Sequence, residues 1–440
     1  MLSENIFFDL SLLSYYDCYG TNISVSQMIE AILNDEDYLA AYADLDYFEM
    51  NLELIKKMDR KAYEDVMVAD YVDDNANSGV VYFVFETKDA YIFAFRGSEP
   101  LDDIRQTTGW QDWMDNFRMF LPDPTYQQLF TLHKLQQRKM DKPFYLTGHS
   151  KGGNLAIYCA VTMKDELLKQ LQGVIAFNAP GISKAIYEVY QERIESYDFK
   201  RKIALFENEN DCVSAFFEHI KQPYLIQSSL SCNNLEELYH NHNLYGMSTL
   251  HDNTYLLVEK KSAVPTAIYY FVNNFFVNLK ETKLKKFIDR MDDYFMSGLS
   301  MFELYRVFIY HISKYTNLFE DIPYEEIKTI TFQDLMERRK SKILFDKMMT
   351  IQPIEALQKA KDSVNKNDFD IRTISDGFLK NYELLRSKTS QNIADAIARN
   401  NAFIQRSIHA IRTRNNEDEQ EDEIKDNQDV SCNDDKNIVF

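Results

Sequence analysis

Gly148-His149-Ser150-Lys151-Gly152-Gly153 is the stretch of this 440-residue chain best equipped for chemistry. It lies between a short apolar run, Pro143-Phe144-Tyr145-Leu146-Thr147, and a helix-patterned segment that begins at Asn154. Glycine, any residue, serine, any residue, glycine at a strand-to-helix junction is what a nucleophile elbow requires. The reason is steric. The serine sits on a sharp, strained turn, and the flanking glycines let neighbouring backbone approach closely. The Ser150 hydroxyl is then exposed at the carboxyl end of a sheet. The backbone N–H of Lys151 points at an oxyanion formed there. The plainer alternative is a glycine-rich turn whose serine caps the helix.

A hydroxyl is a weak nucleophile, so a base must take its proton and an acid must orient the base. With this elbow the acid and then the histidine follow the serine in the chain. Leu205-Phe206-Glu207-Asn208-Glu209-Asn210-Asp211 is a strand running into an acidic loop. Asp211, late in the polar turn, is favoured over Glu207 and Glu209. Of the eight histidines, His133 and His149 precede or adjoin Ser150, and His311 and His409 fall in a helical half. His219 lies only eight residues past Asp211, on an expected helix. His240, His242 and His251 remain as bases. His240 and His242 also form a His-x-His pair, but no carboxylate or cysteine set accompanies it, so no metal is expected. The strand ending at Phe95 runs into Arg96-Gly97-Ser98, which makes Ser98 the candidate second oxyanion donor, although a plain turn serine would look the same.

The elements that must position these residues are legible. Val80–Phe85 and Ala90–Phe95 are β-branched and aromatic runs across a short charged segment, a hairpin signal. Later strands, at 143–147, Val174–Phe177, Lys202–Phe206 and Tyr224–Gln227, alternate with helical segments at 154–171 and 184–197. That alternation implies a largely parallel sheet with helices on its faces. Residues 1–78 read as a helical lead-in. After 262 the pattern is helical, with Leu284, Phe287, Ile288, Met291, Phe295, Leu299 and Phe302 on one stripe.

These residues resemble a known family. Phe95-Arg96-Gly97-Ser98 followed by Asp112-Trp113-Met114-Asp115 resembles the signature of class 3 lipases. Gly148-His149-Ser150-Lys151-Gly152-Gly153-Asn154-Leu155-Ala156 is closer still to the Mbeg-like family, a lipase-related group. Phe177-Asn178-Ala179-Pro180-Gly181, Asn210-Asp211-Cys212-Val213 and His242-Asn243-Leu244-Tyr245 fall in that family's order. The resemblance covers about residues 5–260. It implies an α/β-hydrolase fold, Ser150, Asp211 and His242 as a triad, Ser98 and Lys151 as oxyanion donors, and no cofactor. The common lipase elbow carries an apolar residue or glutamine where Lys151 stands, and the lysine puts a cation beside the nucleophile.

The expected organisation is therefore a lipase-like domain at 1–262, a helical region at 263–413 and a disordered acidic tail at 414–440. The expected activity is hydrolysis of a carboxylic ester, such as an acyl lipid, through an acyl-enzyme. Thioesterases and acyltransferases share the machinery, and a silent hydrolase scaffold that recruits a protein through its helices or tail is the rival. A net charge of −20 disfavours nucleic acid as a partner. Ten acidic residues crowd 417–435 in an apolar-poor tail. The stretch 263–279 holds Pro265 and three asparagines and falls short of a membrane span. Five cysteines without paired spacing and a start without a basic segment point to the cytoplasm.

Overall fold

The computed structural model describes residues 4–42, 46–75, 77–98, 109–232, 235–247, 255–263, 265, 266, 269 and 281–296. The expectations for residues 297–440, including the acidic tail, lie outside the described residues, and so does His251.

Seven strands form one sheet: β1 (Met67–Asp74), β2 (Val80–Glu86), β3 (Tyr91–Phe95), β4 (Phe144–His149), β5 (Leu171–Phe177), β6 (Ile203–Asn208) and β7 (Tyr224–Ile226). They lie side by side in chain order. The pairs β1–β2 and β2–β3 are antiparallel, and every later pair is parallel. This arrangement, with helices packed on both faces and a strand-turn-helix elbow after β4, is an α/β-hydrolase fold.

Chain order dictates where the helices go. Parallel crossovers are right-handed almost without exception, so strands added always in one direction send every crossover to the same face. The helices α5 (Gly109–Arg118), α6 (Tyr126–Gln137) and α7 (Lys151–Thr162) belong to these crossovers, as do the short helices between β5 and β6. One core accordingly joins Leu135, Leu155, Cys159, Ile186 and Phe199 to Val84, Phe93, Leu146, Val174 and Leu205 of the sheet. The opposite face would stay bare. It is covered by the lead-in helices α1 (Glu4–Leu13), α2 (Val25–Asn34), α3 (Glu36–Tyr42) and α4 (Asp46–Lys57), through a second core that joins Phe7, Leu10 and Met28 to Phe83, Phe85, Ile92 and Phe177.

Strand β2 shows the consequence for sequence. Val80, Tyr82 and Val84 face one core and Phe83 and Phe85 the other, so the run is apolar on both faces although its neighbours are antiparallel.

The lead-in is not helical throughout: Met67–Asp74 is a strand, which corrects the expectation of helix to residue 78. Its three aspartates and its half-buried position at the sheet edge hide the pattern. The helix expected over 154–171 stops at Thr162, and Leu171 already opens β5. The one expected over 184–197 breaks at Tyr190.

Register brings the site together. Gly148 pairs with Phe95 on one side and with Ala176 on the other, and His149 pairs with Phe177. The segments after β3, β4, β5 and β6 therefore emerge at one edge.

Candidate active site

Ser150 occupies the turn between β4 and α7 at φ 55° and ψ −126° and makes no side-chain cap to the helix. The capping alternative is therefore not realised. A side chain rarely adopts this backbone conformation, and such strain survives only where the surroundings over-determine it. Here they do. A Cβ on Gly152 would lie 2.0 Å from the Phe95 carbonyl oxygen, and one on Gly148 would lie 2.4 Å from the Gly152 carbonyl carbon. Both glycines are thus required for β3, β4 and α7 to close on one another.

The structure brings Ser150, His242 and Asp211 into one hydrogen-bonded line. His242 Nε2 lies 2.8 Å from Ser150 Oγ, and His242 Nδ1 lies 2.9 Å from Asp211 Oδ1. The fully buried Asp211 accepts further bonds from the backbone N–H groups of Val213 (3.0 Å) and Ser214 (2.9 Å). Burial alone would raise its carboxyl, but the charge and hydrogen bond of His242, the charge of Lys261 and the side chain of Ser214 hold it well below the usual carboxylate range. An ionised Asp211 fixes the proton of a neutral His242 on Nδ1 and leaves Nε2 as the acceptor facing the serine.

Residues outside the expected set hold that histidine. The His242 carbonyl accepts from His149 Nε2 at 2.8 Å and from Asn178 Nδ2 at 3.0 Å. Since Nε2 of His149 donates there, its Nδ1 is the acceptor for the Tyr15 hydroxyl at 2.7 Å. Burial, reinforced by the neighbouring His242, pushes His149 down to about 3, so it stays neutral and keeps this polarity. Asn178, at φ 45°, accepts the Asn208 N–H at 2.8 Å, and Asn208 Nδ2 reaches the Asn241 carbonyl at 3.0 Å. Asn178 stands in the Phe177–Gly181 run quoted above, where an asparagine ending an apolar strand was the available signal. Tyr15, on the other side of the sheet, had none.

The other acid candidates serve elsewhere. Glu207 is buried in a cluster with His219 Nε2 (2.5 Å) and Lys261 Nζ (2.8 Å). Burial raises Glu207, yet the Lys261 and His219 charges bring it below its ordinary value. His219 is shifted upward, because Glu207 outweighs the burial that would lower it. His219 lies on no helix, contrary to expectation. Lys261 also donates to Ser214 Oγ (2.6 Å) and to the Asp211 carbonyl (3.1 Å), so the cluster braces the Asp211 loop from behind. Glu209 accepts the Ser228 N–H at 3.0 Å. His240 ends the helix Leu235–His240, and its Nδ1 is buried without a hydrogen bond.

Lys151 is the first residue of α7, so its N–H has no acceptor within the helix, and the helix dipole favours negative charge at that end. Its ammonium is buried and carries a counter-charge. Lys151 is 2% exposed and paired with Asp115. The Ser98 Oγ accepts a bond of 2.7 Å from Asn116 Nδ2.

The sequence pattern of the Mbeg1-like family matches residues 57–293. The chain belongs to the Mbeg1-like family. The matched range includes the helix Glu281–Met296, which buries Leu284, Phe287 and Ile288, with Phe287 edge-on to Phe120 at 5.9 Å. No curated protein compared with this Mbeg1-like chain matches it. Among solved structures it is similar to a mutant form of MDLA from Penicillium cyclopium, at 12% identity over 58% of this chain and 84% of that one, with a TM-score of 0.31. A triacylglycerol lipase from Penicillium expansum is similar at 14% identity over 51% of this chain and 78% of that one, with a TM-score of 0.27. A structure from a family of fungal lipases with an unusual buried polar cluster is similar at 12% identity over 59% of this chain and 86% of that one, with a TM-score of 0.34.

Proposed function

We propose that the chain is a serine hydrolase that cleaves a carboxylic ester through an acyl-enzyme on Ser150. The hydrogen-bonded line from Ser150 through His242 to Asp211, on a turn held in a strained conformation, carries this reading. In this mechanism His242 Nε2 takes the Ser150 proton as the oxygen attacks the ester carbonyl. Asp211 stabilises the imidazolium that forms. The backbone N–H of Lys151 and the Ser98 hydroxyl hold the oxyanion. The His242 proton then passes to the leaving alcohol, and water repeats the sequence to release the acid. No step requires a cofactor.

Pairing with Asp115 neutralises the Lys151 ammonium, which suits an acyl lipid or another small acyl ester as substrate. A cytoplasmic location is part of the proposal, and the free thiols of Cys18, Cys159 and Cys232 suit it; among the described residues no helix is long and apolar enough to cross a membrane. A recruited protein partner would meet the chain after residue 296 or its acidic tail.

The test is labelling with a fluorophosphonate probe, together with hydrolysis of p-nitrophenyl esters of increasing chain length. Wild-type protein should label and turn over, and Ser150→Ala should do neither while melting normally. Turnover that survives in Ser150→Ala would remove the serine from its role.

A further inference from the structure

Lysine after the nucleophile is a costly choice, since its charge is buried beside a helix N-terminus that already favours anions. Asp115, itself buried, compensates the charge, but an apolar side chain would need no compensation. The geometry of the remaining partners supplies a reason. Lys151 Nζ also lies 2.9 Å from Asn116 Oδ1, and Asn116 Nδ2 lies 2.7 Å from Ser98 Oγ.

We infer that Lys151, acting through the Asn116 amide, aims the Ser98 hydroxyl proton at the oxyanion. This rests on the acyl-enzyme reading above. The argument is one of donors and acceptors. An ammonium can only donate, so the end of the Asn116 amide that faces it must be the oxygen. The other end is then the NH₂ group, which can only donate to Ser98 Oγ. With one of its lone pairs so engaged, the Ser98 hydroxyl keeps its proton for another acceptor. That acceptor is the oxygen that gains charge when Ser150 attacks. A reversed amide would present its oxygen to Ser98 and draw the proton onto itself, turning a donor away from the reaction. Lys151 therefore fixes the direction of the whole chain, from ammonium to amide to hydroxyl, before a substrate arrives. The ammonium charge held against the amide oxygen also polarises the NH₂ group, and through it the hydroxyl, in the direction the transition state needs.

Lys151 and Asn116 are thus positioning residues, and only Ser98 would touch the substrate. The experiment measures kcat and KM on p-nitrophenyl butyrate for Asn116→Asp, for Ser98→Ala and for their combination, with melting temperatures alongside. An aspartate keeps the size of Asn116 but accepts from both neighbours, so it captures the Ser98 proton. Asn116→Asp should lower kcat about 10²-fold, to the level of Ser98→Ala, with KM within about twofold. In the Ser98→Ala background it should change kcat by less than about twofold, because nothing is left to aim.

A second variant, Lys151→Met with Asp115→Asn, removes the two buried charges together and so avoids an unpaired one. It should lower kcat about tenfold, and again only when Ser98 is present. Losses that are the same with and without Ser98, or a wild-type kcat in either variant, would overturn the inference. If Ser98→Ala is fully active while Ser150→Ala is dead, the relay falls and the acyl-enzyme reading stands. If wild-type protein neither hydrolyses the ester nor labels at Ser150, both fall.

Discussion

Replacing Ser150 with glycine should leave a more stable fold than replacing it with alanine, with no turnover in either variant. At φ 55° and ψ −126° the serine Cβ crowds its own backbone, and such conformations cost on the order of 1–3 kcal/mol. Glycine escapes that cost but gives the unfolded chain extra freedom, a penalty of roughly 0.5–1 kcal/mol. Both Ser150→Gly and Ser150→Ala lose the bond to His242, so comparing the two cancels that bond and isolates the strain. Glycine should come out ahead by about 0.5–2 kcal/mol. The same pair of substitutions at Glu166, exposed within a short helix, provides the control. There glycine should be worse than alanine by ~1 kcal/mol. Urea unfolding followed by tryptophan fluorescence gives all four midpoints. If glycine is less stable than alanine at both positions, the turn is relaxed, and its strain cannot be an argument for a functional serine.

Glu207→Gln should cost ~3–5 kcal/mol by leaving Lys261 charged and unpaired beside Asp211. The double variant with Lys261→Met should recover most of that in denaturant unfolding, and a double variant as unstable as the single one would show that the pair matters for its packing alone. Asp9 supplies a pH dependence. Burial pushes its carboxyl up to about 6, against the opposing pull of the Tyr63 hydroxyl. The folded state therefore binds this proton more tightly than the unfolded state does, and the stability gained is complete at low pH and lost as pH rises through about 6. Asp9→Asn should be more stable than wild type by about 1–3 kcal/mol at pH 8 and close to it at about pH 4. Equal differences at the two pH values would place the Asp9 carboxyl in solvent.

Much of the site could be read from local pattern. The Ser150 elbow and the acidic loop ending in Asp211 sit at strand ends, where chemistry-bearing residues break an apolar run. The hairpin Val80–Phe95 announced itself because both of its strands are buried on both faces. What the sequence hid is what depends on three-dimensional closure. Two-residue spacing left His240 and His242 equivalent, whereas the chain ends a helix at His240 and turns, so that only His242 reaches Asp211. Tyr15 and His149 meet across 134 residues, and no local window can contain such a pair. The pairing of Lys151 with Asp115 was hidden because the sequence says nothing about which way a long side chain runs. Met67–Asp74 was lost because an edge strand needs little apolar surface on its outer side.

The single-direction order of the sheet also constrains when the site can exist. Helices α1 and α2 are made before the sheet during synthesis, yet the face they cover includes Phe83, Ile92 and Phe177, which appear later in the chain. Until then their apolar sides have no native partner, and such early, long-range burial is the slow and aggregation-exposed part of folding. Tyr15 cannot support His149 before β4 is in place, nor can His149 hold His242 before the segment after β7 has arrived. Assembly of the Ser150–His242–Asp211 line is consequently a late event in the life of each nascent chain, and a half-made sheet carries Ser150 without its two partners.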